Sequence, residues 1–227
     1  MTSFLKRLAG LLPVRYQQEL KRLHFARMIR RGSFLSAEEH DSEYGRLHEW
    51  VSAGTWAVDV GANVGNYSAR LSQLVGPAGR VFSFEPVGET FELLTANMAR
   101  LPLKNVSLFN AAASDSVGVR GMTVPLGEGQ LQNPYMAQLT EGARGDFAVM
   151  CMTVDALALP QRVSLVKVDV EGHELSAITG MRRLLERDHP VLIVEGRDAS
   201  VADYLAVLGY TFEQRDRSPN RVFRVKG

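Results

Sequence analysis

Cysteine is almost absent from this chain of 227 residues: Cys151 stands alone, so no internal disulfide can form, and a lone thiol fits a reducing cytoplasm. Long hydrophobic runs are missing as well. No stretch approaches the roughly 20 apolar residues that a membrane-spanning helix requires. The opening TSFLKRLAGLLP pairs basic residues with a short apolar run, without the h-region or small-residue cleavage site of a secretory signal. A strong net charge is also lacking, at +1 from 26 basic and 25 acidic residues. That balance, with no aromatics interleaved among the basic residues, argues against a nucleic-acid partner.

The balance hides an uneven distribution. Residues 1–31 hold eight lysines and arginines against Glu19 alone, a local charge of +7 that leaves −6 for the remainder. Phe4, Leu5, Leu8, Leu11 and Leu12 recur at helical spacing before Pro13, and a second helix is expected from Val14 to about Arg30, with Leu20, Leu23, Phe25 and Met28 as its apolar candidates. Peripheral contact with anionic lipid through residues 1–31 is one reading. A helical cover over residues 1–45 with solvated basic faces is the other, and the commoner. Ser36 and Glu39 have capping-box spacing ahead of the next segment.

What the chain does contain is 45% hydrophobic content, enough for one core and a single globular unit over 46–227. Its organising stretch is Trp56 to Tyr67, WAVDVGANVGNY. An apolar run reaches Asp59, glycines follow at Gly61 and Gly65, and an amphipathic segment begins near Asn66. A buried strand, a glycine turn and a helix form the nucleoside-binding corner of an open α/β sheet. Gly61 permits the sharp turn, and Gly65 is expected to let the helix pack close to the strand. The spacing is G-x-x-x-G, and Asn63 occupies the position where the dinucleotide fingerprint has its middle glycine.

A second strand, RVFSF, ends at Glu85-Pro86, 24 residues after Gly61. A carboxylate at that strand tip can accept two hydrogen bonds from a ribose diol. A third strand, Val106 to Phe109, runs into Asn110-Ala111-Ala112-Ala113, whose small side chains leave room for a flat ring beside Asn110. Residues 118–150, rich in glycine and proline, read as an insertion made of a hairpin and a substrate-facing loop. Asn133-Pro134-Tyr135 within it is similar to the Asn-Pro-Pro-aromatic motif of amino-group methylating enzymes, but lacks the second proline and lies too early, so it is read as a turn.

The second informative stretch is SLVKVDVEGHE, a buried strand ending in Asp169, Glu171, His173 and Glu174 before a single helix that buries Leu175, Ile178 and Leu185. Ionisable groups at this sheet edge face the crevice where open α/β sheets bind ligands. A fifth strand ends at Glu195, a helix follows, and Tyr210–Gln214 with Arg221–Val225 form an antiparallel hairpin.

These residues resemble the FkbM-type methyltransferases, a branch of the class I S-adenosylmethionine-dependent enzymes. The match rests on VDVGANVGNYS, VFSFEP, NAAASD, TVDAL and KVDVEGHE. The resemblance implies a Rossmann-like, doubly wound, mainly parallel sheet of seven strands closed by the C-terminal hairpin. It implies that S-adenosylmethionine is the cofactor, with Asp59, Gly61, Asn63 and Gly65 around its methionine part and Asn66 and Tyr67 following at the helix start. Glu85 and Pro86 would meet the ribose, and Asn110, Ala111 and Ala112 the adenine. Family members mostly methylate hydroxyls of sugars, glycolipids or other metabolites, so a small-molecule or glycan acceptor is expected.

Alkyl hydroxyls barely ionise near neutral pH, so a general base should assist the transfer. Asp169, Glu171 and His173 are the candidates by position, and His173 has the most suitable ordinary pKa. Asp169 is also placed to touch the cofactor's ammonium. A variant gathers a divalent ion on Asp169, Glu171 and Glu195. Two competing classes are a nicotinamide-dependent dehydrogenase, disfavoured by Asn63, and a non-catalytic cofactor-binding module, which has no use for the KVDVEGHE charges.

Overall fold

Apolar runs that end in a polar residue become the strands of the central sheet, and the amphipathic stretches between them become its covering helices. The computed structural model describes residues 13–36, 42–125, 133–215 and 218–226. In chain order, α1 (Val14–Arg31) and the short α2 (Leu47–Trp50) precede β1 (Trp56–Val60), α3 (Asn66–Val75), β2 (Arg80–Phe84), α4 (Gly88–Met98) and β3 (Val106–Phe109). After these come β4 (Ala112–Ala113), β5 (Gly118–Thr123), β6 (Gln138–Leu139), β7 (Phe147–Met152) and β8 (Val163–Val168). The chain then forms α5 (Glu174–Thr179), α6 (Arg182–Asp188), β9 (Val191–Glu195), α7 (Ala199–Val207), β10 (Tyr210–Glu213) and β11 (Asn220–Val225).

Seven strands form the main sheet in the order β10-β11-β9-β8-β1-β2-β3. The pairs β1/β2, β2/β3, β1/β8 and β8/β9 are parallel, whereas β11 runs antiparallel to both β9 and β10. This is the doubly wound, Rossmann-like sheet implied by the motifs. Strands β1 and β8 sit at its centre, covered on both faces, which is why they read as near-continuous apolar runs. Asp59 and Lys167 interrupt those runs yet are buried, as is Ser83 of the neighbouring β2.

Helix α1 follows Pro13 and stops at Gly32, whose φ of 75° supplies the left-handed cap. Its Phe25, Met28 and Ile29 pack on a cluster containing Phe34, Leu93, Leu94 and Met98. Leu20 and Leu23, expected among its buried residues, are 47% and 67% exposed. The inward face above Phe25 is polar instead: Gln18 and Arg22 bond Glu89 and Glu92 of α4. Phe4 to Leu12 and the Ser36–Glu39 capping box involve positions outside the described residues.

Two further expectations are corrected. The insertion is more than a hairpin, because β4, β7, β5 and β6 form a second sheet in that order, with β4 parallel to β7. Its inner face buries Met122, Val149 and Cys151 against Val87 and Ala112. The single helix expected after Glu174 is two helices, α5 and α6. Gly180 lies between them, where a Cβ would collide with the Ser114 carbonyl.

Candidate active site and cofactor cleft

The carboxyl-terminal tips of β1, β2 and β8 are tied together by the backbone. Gly61 and Ala62 donate to the Phe84 carbonyl at 3.0 and 2.8 Å, and Asp169 donates to the Val60 carbonyl at 3.0 Å. Gly61 has φ +80°, and any Cβ there would strike the Asp169 carbonyl. Gly65, with φ +96°, serves a different contact from the one expected. A Cβ there would lie 2.6 Å from both Leu94 Cδ1 and Met98 Cε, so it admits α4 rather than the strand.

Asn63 takes φ +51°, a conformation asparagine tolerates better than most residues, and its side-chain oxygen accepts from Val64 N at 2.7 Å. Its backbone N–H donates to Glu85 Oε2 at 2.9 Å, while Val87 N–H donates to Oε1 at 2.9 Å. Each Glu85 oxygen retains acceptor capacity for a hydroxyl. Burial drives the Glu85 carboxyl up to about 7 despite those two N–H bonds. Asp59 lies beneath the turn, accepts from Ser68 Oγ at 2.5 Å, and is pushed by burial to about 6.

Asn110 does not line the cleft. Its amide is exposed and donates to the Glu85 and Pro86 carbonyls at 2.9 and 3.1 Å, so it fixes the backbone that carries Glu85. Ala111 and Ala112 do line it. Asn66 donates to the Phe34 carbonyl at 3.0 Å, and Tyr67 meets Tyr44 edge to face at 5.1 Å.

A cleft runs from Glu85 and Pro86 past Gly61 and Asn63 to Asp169, Glu171, His173 and Glu195. The second sheet and the turn before β6 wall it with Met122, Leu139, Pro134 and Tyr135. A second cavity shares Gly61, Asn63, Tyr135 and Asp169 with the first, and adds Asp59, Asn66, Tyr67, Lys167 and Phe25. Gly65 borders neither cavity.

Strands β8 and β9 pair Val168 with Val194, which sets Asp169 and Glu195 side by side. A hydrogen bond to Asp169, reinforced by burial and the Asp169 charge, raises Glu195 to about 8. Adjacent carboxyls disfavour joint ionisation, so Glu195 holds its proton to higher pH than an ordinary carboxyl. Glu171 is exposed at φ +50°, raised by burial and then by the charges of Asp169 and Glu174. His173 Nε2 lies 2.9 Å from Ser114 Oγ. Burial, then Arg120, lowers its pKa below the ordinary 6.5, so its imidazole is neutral at pH 7.

Among the described residues, no three His, Cys, Asp or Glu groups converge as a metal site requires. The Asp169–Glu171–Glu195 variant is therefore not assembled: all three border the cleft, but they do not converge on one point. Sequence reasoning missed Lys167, Tyr135 and Phe25 as cavity residues; it had brought Glu195 to Asp169, but as metal ligands rather than as a hydrogen-bonded pair. Lys167 had left a trace, being a lysine in the middle of the apolar run VSLVKV.

The residues present suit a nucleoside that carries a cation. Among the described residues four carboxyls and no lysine or arginine line the first cleft, and Glu85 keeps acceptors for a diol. Sheet order and site together define a class I S-adenosylmethionine-dependent methyltransferase domain. The chain belongs to the methyltransferase FkbM domain family, whose model matches residues 59–213. It is 31% identical over 138 residues to the hexuronic acid methyltransferase AglP of Haloferax volcanii, covering 60% of this chain and 53% of that protein. It is 27% identical over 110 residues to a protein-L-isoaspartate O-methyltransferase of Methanothrix thermoacetophila, covering 47% and 52%. The chain thus spans about half the length of the curated relatives it matches. The methyltransferase FkbM of Methylobacillus flagellatus superposes with a TM-score of 0.54 at 18% identity, over 80% of this chain and 50% of that one, a likeness of fold. Family membership replaces the dehydrogenase alternative.

Proposed function

We propose that this protein transfers a methyl group from S-adenosylmethionine to an oxygen of a sugar or similarly hydroxylated small molecule. The observation that carries the reading is the pairing, in one cleft, of the ribose-type acceptor Glu85 with His173 and the Asp169–Glu195 carboxyls about the far end. The 31% identity to a hexuronic acid methyltransferase supports a sugar acceptor.

When bound, the cofactor supplies an activated methyl group on a sulfonium. The chain's own contribution is placement and proton handling. Glu85, fixed by the Asn63 and Val87 N–H groups, would hold the ribose. Asp59 and Asp169 would face the methionine ammonium, and Ala111 and Ala112 the adenine. The cleft's carboxyls favour the cationic form over the neutral product, which aids its exchange after transfer. His173, neutral at pH 7, is the group suited to take the acceptor's proton, with Ser114 orienting the ring. Asp169 and Glu195 would receive the acceptor's neighbouring hydroxyls. Tyr135, bordering both cavities, would exclude water from the reacting centre.

The reading is tested by offering the purified protein methyl-labelled S-adenosylmethionine with hexuronic acids, neutral sugars and aminosugars. Label recovered as an O-methyl group on a sugar supports it. Label found only on nitrogen, or only on protein carboxyls, would replace the acceptor class.

A further inference from the structure

We infer that Lys167 binds the carboxylate at the methionine end of S-adenosylmethionine, from the floor of the second cavity. The inference rests on the cofactor assignment above and adds a residue to it.

Lys167 occupies the fifth position of β8, a strand whose six residues are all buried, and is itself 2% exposed. An ammonium in such a place is costly unless it is paired and hydrogen-bonded. Its Nζ donates to Asn220 Oδ1 at 3.0 Å, lies 3.5 Å from Asp169 Oδ2, and stands 5.2 Å from the Tyr67 ring centroid. An ammonium has three N–H groups. Asn220 and Asp169 account for two, and no third hydrogen-bond partner is present among the described residues.

The surroundings hold this lysine in place. Asn220 Nδ2 donates to Glu43 Oε2 at 3.3 Å, and Ser218 Oγ donates to the same oxygen at 2.8 Å. Glu43, Ser218 and Asn220 are all buried. Segments far apart in the chain therefore converge behind one cation, which borders the second cavity. Among the described residues lining the two cavities, Lys167 is the one lysine or arginine.

Charge complementarity identifies the ligand group. The methionine end carries an ammonium and a carboxylate, whereas the adenosyl end carries no anion. Asp59 and Asp169 match the ammonium, and Lys167 alone matches the carboxylate. The cavities meet at Gly61, Asn63 and Asp169, so a ligand whose ribose sits at Glu85 reaches Lys167 across the glycine turn. An acceptor's own carboxylate has the same chemistry, and the test separates the two.

Calorimetric titration would compare S-adenosylhomocysteine with its decarboxylated analogue, which keeps the amine, in the absence of any acceptor. Wild-type protein should bind the intact ligand at least about tenfold more tightly. Lys167→Gln should bring the intact ligand down to the level of the analogue and leave the analogue unchanged. Asn220→Ser, which loosens the lysine without removing its charge, should narrow the gap in the same direction. Equal wild-type affinity for both ligands, or equal losses of both in Lys167→Gln, would overturn the inference. So would an undiminished gap in either variant. Wild-type protein that binds neither ligand would instead overturn the cofactor assignment.

Discussion

At the scale of the residue, three carboxyls and one imidazole carry the account. Glu85 gives two acceptors to a diol, and hydrogen bonds to a charged group are worth about 1.5–3 kcal/mol each. Glu85→Ala should therefore weaken S-adenosylhomocysteine binding by roughly 10²–10⁴-fold. Unchanged affinity in a titration would remove Glu85 from the ribose site. His173→Ala should lower kcat by roughly 10²–10⁴ with cofactor affinity unchanged. A matched fall in both would assign His173 to binding. Glu195 gives a stability signature. Its unfolded value lies near 4.5 and its folded value near 8, so the folded state retains a proton across that interval. The stabilisation is complete below the unfolded value and is lost as pH rises through the folded one. The melting temperature of wild type relative to Glu195→Gln should fall between about pH 5 and pH 8. A difference independent of pH would mean that the carboxyls do not share a proton.

Elements decide how far the sequence could be read. The strands that end at Asp59, Glu85 and Asp169 were legible because a buried parallel strand is an apolar run with a polar tip. Helices α3 and α4 were legible from their periodicity. The second sheet was not, because β4 and β6 are two residues long and acquire strand character only by pairing. The tips at Asp169 and Glu195 were read as neighbours, but not their hydrogen bond, since the register of β8 against β9 is a tertiary fact. Asn110 and Gly65 were read as ligand neighbours when their contacts are with backbone and with α4. That difference is testable in the glycines. Gly65→Ala meets two flexible side-chain ends, whereas Gly61→Ala meets backbone that also carries Asp169. Both adopt positive φ, which by itself costs an alanine on the order of 1–2 kcal/mol. Denaturant melts should therefore show Gly61→Ala as the more damaging change. The reverse order would mean that the strand tips yield more easily than the α3–α4 contact.

For the whole molecule, the main sheet supplies a cofactor edge and the second sheet supplies its far wall. Residues from α1, the turn before β6 and the glycine corner meet around two linked cavities, with Tyr135 bordering both. Lys21 stands 5.8 Å from that ring's centroid, so the basic helix reaches the site as well as covering α4. Among the described residues no helix is long and apolar enough to cross a membrane. Acceptor choice is expected to lie in the second sheet and its turn, where the family motifs are silent. One measurement bears most directly on the central claim: carbon-13 NMR of a hexuronic acid incubated with the protein and methyl-labelled S-adenosylmethionine. The account predicts a new O-methyl resonance that disappears with Glu85→Ala. No transfer to any hydroxylated sugar, from protein that binds S-adenosylhomocysteine, would contradict it.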